Sequence, residues 1–214
     1  MNFLQFVEGP LWYFTAVVFV LGILWRLIGI LRLPRVRELS VPRASALWGA
    51  VLSNFRHLAP RGTFFSRTKF NVIAGYMFHV GLFALLLFAA PHVKFLETRV
   101  LGFGWPAMPN WAFVLTAELA FAGLLLLWLR RLLDPVLRRL SDADDHWGAG
   151  LTFLAMLTGC MALLQTNEAL RAIHLLAVEV WMLYFPFSRL MHTFTFLLSR
   201  SYTGELYGRR GEVL

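Results

Sequence analysis

The chain has 214 residues, of which 58% are hydrophobic and only 15% are charged. Water-soluble domains carry about 45–50% apolar and about 25% charged residues, so the excess apolar surface must face lipid. One cysteine, no low-complexity tract and no repeat exclude a disulfide-stabilised secreted domain, a disordered tail and a solenoid. The net charge of +8 does not indicate nucleic acid binding, because the basic residues flank apolar segments.

Five apolar segments follow one another along the chain, and each is long enough to cross a hydrocarbon core of about 30 Å. They cover residues 11–31, 70–90, 110–129, 147–165 and 169–199. The last segment is longer than the bilayer is thick, so it is expected to tilt or to extend into the cytoplasm. The sequence predicts an all-α integral membrane protein, a bundle of five transmembrane helices that forms a single domain over residues 1–214.

The basic residues predict the orientation of this bundle. Lysine and arginine number eight in residues 32–69, four in 130–139 and three from 200 onward, but only three on the opposite side, at Lys94, Arg99 and Arg171. By the positive-inside rule the N-terminus lies outside and the C-terminus in the cytoplasm. Residues 1–10 contain no basic residue, so we do not expect a cleaved signal peptide.

The loop between the first two spans contains a predicted amphipathic helix over residues 44–58. Its apolar positions follow helical spacing at Ala44, Leu47, Trp48, Val51, Leu52, Phe55 and Leu58. The helix is too short to span a membrane and is flanked by Pro42 and Pro60. It is expected to lie along the inner membrane surface, to dock a partner subunit, or to do both.

Four of the six histidines lie within or at the ends of the second and fifth spans: His79, His92, His174 and His192. An imidazole in hydrocarbon needs a partner, so such residues face the bundle interior and often mark a ligand or a proton path. His174 and His192 are 18 residues apart, which is five turns on a continuous helix. They would then share one face, about 27 Å apart along the axis.

The second and fifth spans are predicted to run antiparallel, which pairs the histidines by depth. His79 then pairs with His192 near the cytoplasm, and His92 pairs with His174 near the outer surface. For His92 to face the bundle, we expect Pro91 to break the helix at Ala90. Two pairs of facing imidazoles are typical of two low-spin haems. Zinc or copper is a weaker alternative, because no cysteine or carboxylate lies within one turn of these histidines.

Small residues lie beside these histidines, at Gly75, Gly81, Ala172 and Ala177. They either leave room for a flat macrocycle or allow close helix packing. The polar run with Asp142, Asp144, Asp145 and His146 precedes the fourth span, where we expect the carboxylates to cap a helix.

Several strings of residues resemble a known family. They are Phe78-His79-Val80-Gly81, Ala90-Pro91-His92, the run 186–192 that ends in His192, and the tail 199–204. Together with the five spans they resemble the membrane cytochrome b (gamma) subunit of respiratory nitrate reductase. The chain is more similar to the cytochrome b subunits of dissimilatory sulfite reductase-linked and heterodisulfide reductase-like membrane complexes. In nitrate reductase gamma subunits the second histidine of this span stands where this chain has Ala89. The assignment of His92 as the outer-haem ligand is therefore implied by the resemblance to the sulfite reductase-linked and heterodisulfide reductase-like subunits.

The resemblance implies a subunit of the bacterial cytoplasmic membrane with two haems b, each held by two histidines. It implies electron transfer between menaquinone or ubiquinone and a cytoplasmic iron-sulfur partner of the nitrate reductase or heterodisulfide reductase-like type. The iron ligands would be His79 with His192 and His92 with His174. We identify no catalytic nucleophile. The alternatives are a haem-free anchor or assembly subunit and a small transporter.

Charged residues near the predicted haems are candidates for two further roles. Arg67, Lys69 and Arg189 could bind the propionates of the inner haem, although the first two could also be membrane-surface anchors. Lys94 and Glu179 could supply the hydrogen bonds and the proton route that a quinone needs at the outer haem. The other interpretation is that Lys94 only reaches the interface and Glu179 bonds to a neighbouring helix.

Overall fold

The computed structural model describes residues 2–34, 41–58, 62–164 and 166–212, without the side chains of Thr63 and Phe64. Within these ranges the secondary structure is helical and contains no strand. The predicted end of the fourth span at residue 165 lies outside the described residues. The all-α expectation is therefore confirmed for the described part of the chain.

The α-helices in chain order are α1 Phe3–Phe6, α2 Trp12–Leu31, α3 Ala46–Arg56, α4 Gly62–Phe88, α5 Ala90–Leu96, α6 Asn110–Leu133, α7 Pro135–Leu140, α8 Ala143–Met161, α9 Glu168–Tyr184 and α10 His192–Arg210. Two π-helical turns, Val7–Leu11 and Glu97–Leu101, follow α1 and α5. The first of them contains Pro10 and joins α1 to α2 without a break.

Four helices are long and apolar enough to cross a membrane. They cover Phe3–Leu31, Phe65–Phe88, Asn110–Leu133 and Glu168–Phe187. These helices indicate a multi-pass membrane protein. Helix α8 has 19 residues but is not one of the four, and its first turn carries Asp144 and Asp145.

The second predicted span is broken near its end, as expected, but the break lies at Ala89 and not at Ala90. Helix α4 ends at Phe88, Ala89 is extended with φ −65° and ψ 134°, and α5 begins at Ala90. Pro91 lies in the first turn of α5, where a helix needs no N–H donor from it. Because of this break, the direction of the His92 side chain is not set by a continuation of α4.

The fifth predicted span is not one continuous helix, so the expectation for residues 169–199 is wrong. Helix α9 ends at Tyr184 and is followed by two 3₁₀ turns, Phe185–Phe187 and Arg189–Met191. Pro186 cannot donate to the helical ladder, and the hydroxyl of the extended Ser188 accepts from the Leu190 N–H at 3.2 Å and so starts a new turn. His174 and His192 thus lie on different helices, and the prediction that they share one face is wrong.

The chain divides into two compact units. Unit 1 comprises Met1–Val17 and Thr68–Tyr184, and unit 2 comprises Val18–Arg67 and Phe185–Leu214. In unit 1, α6 runs antiparallel to α4, α8 runs antiparallel to α6, and α9 runs antiparallel to α8. The contacts that establish this include Phe70 with Arg130, Phe121 with Phe153, and Thr152 with Trp181. Leu85, Ala117, Ala120, Leu124 and Met156 form a buried core between α4, α6 and α8.

The acidic run before α8 caps that helix, as predicted. The Asp142 carboxylate accepts hydrogen bonds from the backbone N–H groups of Asp144 and Asp145. The Asp145 carboxylate accepts from the Asp142 N–H in return, which completes a capping box, and it also pairs with Arg131 at 3.2 Å.

In unit 2 the predicted amphipathic helix is confirmed as α3, with Ser45 as its N-cap. Its small residues pack closely on α10, where a Cβ atom added at Gly49 would lie 2.7 Å from the Gly208 Cα. Asn54 donates to the Ser201 hydroxyl at 2.9 Å, and the Arg43 N–H donates to the Arg209 carbonyl at 2.7 Å. The apolar side chains of α3 remain exposed: Leu47, Trp48, Val51 and Phe55.

Replacing Gly49 by alanine should separate α3 from α10, because the added methyl group would collide with backbone atoms that cannot rotate away. We expect a loss of about 1–3 kcal/mol, measured as a lower midpoint of thermal unfolding. Gly29→Ala is the matched control, since a Cβ there meets no described atom within 4 Å. It should be neutral or stabilising by up to about 1 kcal/mol. Equal midpoints for Gly49→Ala and Gly29→Ala would contradict this packing.

Candidate functional site

His92 lies in α5, directly after the break in the second span. Its ring nitrogen Nδ1 lies 3.0 Å from the carbonyl oxygen of Leu85, seven residues earlier in α4. A carbonyl only accepts, so Nδ1 carries the proton and donates it. The break thus folds the imidazole back along the end of α4 and fixes its orientation.

His174 lies in α9 and faces α8. Its Nδ1 is 3.2 Å from the hydroxyl oxygen of Thr158, which itself donates to the Leu154 carbonyl at 2.8 Å. The Thr158 oxygen therefore accepts from the His174 Nδ1–H. Gly159 allows this approach, because a Cβ at that position would lie 3.0 Å from Cε1 of His174.

The structure brings His92 and His174 together within unit 1, as their predicted pairing requires. Their ring centres are 6.2 Å apart and their planes differ by 26°. In both residues Nδ1 is the donor, so Nε2 is the nitrogen with the lone pair. Two neutral imidazoles in this state can bind one metal centre from two sides. The separation also lies within the range of ordinary aromatic pairs.

His146 provides a contrast within the same unit. Its Nδ1 accepts a hydrogen bond from the Trp128 indole N–H at 3.1 Å. The proton of the neutral ring must then be on Nε2. This histidine is therefore engaged in joining α6 to α8, and the sequence alone could not distinguish its tautomer from those of His92 and His174.

His79 and His192 have the same tautomer as His92 and His174. Nδ1 of His79 donates to the Gly75 carbonyl at 2.8 Å, and Nδ1 of His192 donates to the Arg189 carbonyl at 2.8 Å. His79 is half-buried and His192 is exposed. They belong to unit 1 and unit 2 respectively, and their pairing stays a prediction.

The small residues near the histidines have different surroundings. A Cβ at Gly81 would lie 2.7 Å from the Ala120 Cβ, so Gly81 serves the packing of α4 against α6. A Cβ at Gly75 meets no described atom within 4 Å, and Gly75 lies one turn before His79 on the same side of α4. Ala172 and Ala177 are buried. A side chain at Gly75 would thus meet open space, whereas one at Gly81 would meet α6.

In the part of the chain that the structure describes, no three histidine, cysteine, aspartate or glutamate side chains form a group that could hold a metal ion. His92 and His174 are a pair without a third such ligand. A pair is too few for a tetrahedral zinc site, whereas a haem iron needs only two axial ligands because the macrocycle supplies the others.

The candidate propionate ligands are exposed in the structure. Arg67 and Lys69 lie in the first turns of α4, and Arg189 lies in the second 3₁₀ turn. Arg130, which entered the prediction only through the charge of residues 130–139, lies at the end of α6 with its guanidinium 5.4 Å from the ring centre of Phe70, and it donates to the Asn71 side chain. The antiparallel packing of α4 and α6 brings it to this part of α4.

The two quinone-site candidates have opposite environments. The Lys94 side chain is 71% exposed and forms an ion pair with Glu97 at 3.2 Å. Glu179 is 1% exposed. It lies five residues after His174, which is about 140° around α9, so the two side chains leave the helix in different directions. The structure therefore places Lys94 at the surface and Glu179 in the interior.

Sequence reasoning also missed Thr158 and Gly159, which position His174. The only sequence signal was a polar residue followed by glycine inside an apolar segment, and this signal does not reveal which helix they face. Glu8 was missed as well. It forms an ion pair with Arg171 that joins the N-terminal π-helical turn to α9.

No family model matches the chain. A protein of Nitratidesulfovibrio vulgaris (strain Hildenborough) is 32% identical over 215 residues, covering 96% of this chain and 94% of its own length. The chain belongs to the family of that bacterial protein.

Replacing Gly159 by alanine should push the His174 ring away from α8, because the new Cβ would lie 3.0 Å from Cε1. We expect a lower midpoint of thermal unfolding and faster modification of His174 by diethyl pyrocarbonate, measured by mass spectrometry. Gly150→Ala in the same helix is the control, since its Cβ would meet Trp128 at an ordinary 3.6 Å. If both variants react like the parent protein, the close approach of His174 to α8 is wrong.

Proposed function

We propose that the chain crosses a bacterial cytoplasmic membrane five times, with the N-terminus outside and the C-terminus in the cytoplasm. Four helices are apolar enough to do so, and α8 is the fifth because it alternates in direction with α6 and α9. Its 19 residues span about 28 Å at about 1.5 Å per residue. The basic loops support the orientation, and the similar protein comes from a bacterium.

We propose further that His92 and His174 bind the iron of an outer haem b. Their ring centres lie 6.2 Å apart with planes that differ by 26°, so the two imidazoles are close enough for both to hold one haem iron. The Leu85 carbonyl and the Thr158 hydroxyl hold the Nδ1 protons, so Nε2 of each ring is the ligand atom. The residues present therefore fit the group. This pair is the observation that carries the proposed function.

The inner haem b in this proposal is held by His79 and His192. The support is that both rings donate from Nδ1 to a backbone carbonyl, which presents Nε2 as the ligand. The space beside Gly75 is on the His79 side of α4. Arg67, Lys69 and Arg189 would bind its propionates, and all three side chains are exposed.

A haem held by two histidines has no open coordination position, so it supplies one-electron transfer and not oxygen chemistry. We therefore propose that the protein carries electrons between the quinone pool and a cytoplasmic iron-sulfur partner. Quinol, as menaquinol or ubiquinol, would bind near the outer pair, with Lys94 and Glu179 as candidate contacts. The partner would dock on the cytoplasmic side, at the basic end of α10 with Arg209 and Arg210.

The second candidate function is a haem-free anchor or assembly subunit. The observation that favours it is the exposed apolar face of α3, where Leu47 is 76% and Phe55 is 68% exposed. An anchor needs such a face for contact with lipid or with another subunit. An anchor has no need for a pair such as His92 and His174, whose rings have the same tautomer and lie 6.2 Å apart between their centres. For this reason we prefer the haem protein.

The haem content of the purified protein tests the proposed function. We expect two haems b per chain by pyridine haemochrome, with one lost in His92→Ala or His174→Ala and the other in His79→Ala or His192→Ala. His146→Ala is the control, because its ring bonds to Trp128, and it should retain both. A colourless protein would favour the anchor, and one haem that survives His92→Ala would remove the outer pair.

Quinol kinetics test the placement of the quinone. Lys94→Ala and Glu179→Gln should slow the reduction of the haems by a quinol analogue, because each removes a hydrogen-bonding group from the proposed site. The spectra after reduction by dithionite should not change. Glu118→Gln is the control, since this glutamate lies in the third span but is exposed. Unchanged kinetics in both test variants would place the quinone elsewhere.

A further inference from the structure

Pro91 leaves one carbonyl group at the end of α4 without its ordinary donor. In a continuous helix the N–H of residue 91 would donate to the carbonyl of Leu87, four residues earlier, and proline has no N–H. Leu87 lies in one of the four helices that are apolar enough to span a membrane. Hydrocarbon cannot supply the missing hydrogen bond, so another group of the protein has to supply it.

Trp105 provides the missing donor. Its indole N–H donates to the Leu87 carbonyl at 2.8 Å. Three residues later, the backbone N–H of Met108 donates to the Phe88 carbonyl at 2.8 Å. Both donors belong to the segment 102–109, which leads from the second π-helical turn to α6. This segment therefore supplies hydrogen bonds to the last two residues of α4.

Two glycines allow the segment to return to α4. Gly102 has a left-handed conformation with φ 77°, and its N–H donates to the Glu97 carbonyl at 3.0 Å. A Cβ atom added at Gly104 would lie 3.1 Å from Cδ of Glu97. The chain thus turns sharply at Gly102 and passes close to Glu97, and this course brings Trp105 to the end of α4.

The His92 ring is held by the same end of α4. Its Nδ1–H donates to the Leu85 carbonyl at 3.0 Å, and Leu85 lies two residues before Leu87. The last turn of a helix frays when its carbonyls lack donors. Opening of this turn would move the Leu85 carbonyl and release the imidazole. The orientation of His92 therefore depends on the hydrogen bond that Leu87 accepts.

We propose that Trp105 is a positioning residue for His92. Its indole replaces the donor that Pro91 lacks and keeps the last turn of α4 closed. The Leu85 carbonyl then retains the Nδ1 proton of His92, and Nε2 is the ligand atom. This inference rests on the proposed function, in which His92 is an axial ligand of the outer haem. Because donation from Nδ1 makes a histidine the more basic ligand, a loosened His92 should raise the reduction potential of that haem.

Hydrogen–deuterium exchange of the purified full-length protein, followed by mass spectrometry, tests the support of the helix end. Trp105→Phe keeps an aromatic ring and removes the N–H, so the backbone amides of residues 86–93 should exchange several-fold faster than in the parent. Trp111→Phe is the matched control, because Trp111 lies in the first turn of α6 and is 72% exposed. It should exchange like the parent. Equal exchange in Trp105→Phe and Trp111→Phe would overturn the proposal.

The haem spectra test the effect on His92. In Trp105→Phe both haems should remain, the reduction potential of the outer haem should become more positive, and the electron paramagnetic resonance signal of its oxidised form should shift. The inner haem should keep both properties. A residue that serves stability alone would lower the midpoint of unfolding and leave the potential and the resonance signal unchanged. That result would exclude the positioning role.

A second variant keeps the test decisive if Trp105→Phe does not fold. Gly102→Ala strains the left-handed turn and should displace Trp105, with the same changes in exchange and in potential. Gly29→Ala should change neither, since a Cβ there meets no described atom within 4 Å. Exchange of residues 86–93 in Gly102→Ala at the rate of the parent would contradict the proposal.

The exchange measurement separates this inference from the proposed function. A protein without haem whose residues 86–93 exchange faster in Trp105→Phe would refute the electron-transfer proposal and retain Trp105 as the support of His92. A protein with two haems whose exchange is the same in both tryptophan variants would do the reverse.

Discussion

The hydrocarbon of a membrane offers no hydrogen bonds, so every polar group in an apolar helix must find its partner within the protein. This constraint applies directly to His79 and His174, which lie in two of the four apolar helices, Phe65–Phe88 and Glu168–Phe187. His79, His92 and His192 each donate their Nδ1 proton to a backbone carbonyl, and His174 donates to Thr158. Because each of these bonds uses the same ring nitrogen, all four residues present Nε2 with its lone pair.

Interruptions in the helices determine which histidines can meet. At Ala89 the chain leaves the helical conformation, and α5 then directs His92 back along α4 toward α9. At Pro186 and Ser188 the chain leaves it again, and His192 begins a separate helix. Proline lacks the N–H that would continue the helical ladder at each of these points, and the helix therefore ends and begins again. Without these breaks His92 would follow the direction of α4, and His174 and His192 would lie in line.

Close approach between helices depends on small residues within each unit. Gly81 faces Ala120 in unit 1, Gly159 accommodates the His174 ring, and Gly49 meets Gly208 in unit 2. In lipid there is little hydrophobic gain from helix association, so van der Waals contact between backbones supplies much of the stability. The same glycines that stabilise the packing also determine the position of His174. Packing and site geometry in this family member are therefore not independent.

The sequence by itself determined the helical class, the membrane setting, the start of the third span at Asn110, the amphipathic helix and the cap at Asp142. These follow from hydropathy, charge and capping, which act over one or two helical turns. It also indicated His92 and His174 as partners, because antiparallel spans order residues by depth. The tertiary structure alone decided the burial of Glu179 against the exposure of Lys94, and the roles of Thr158 and Gly159. Those properties depend on which helix each face meets, and contacts between residues distant in the chain leave no periodic signal in the sequence.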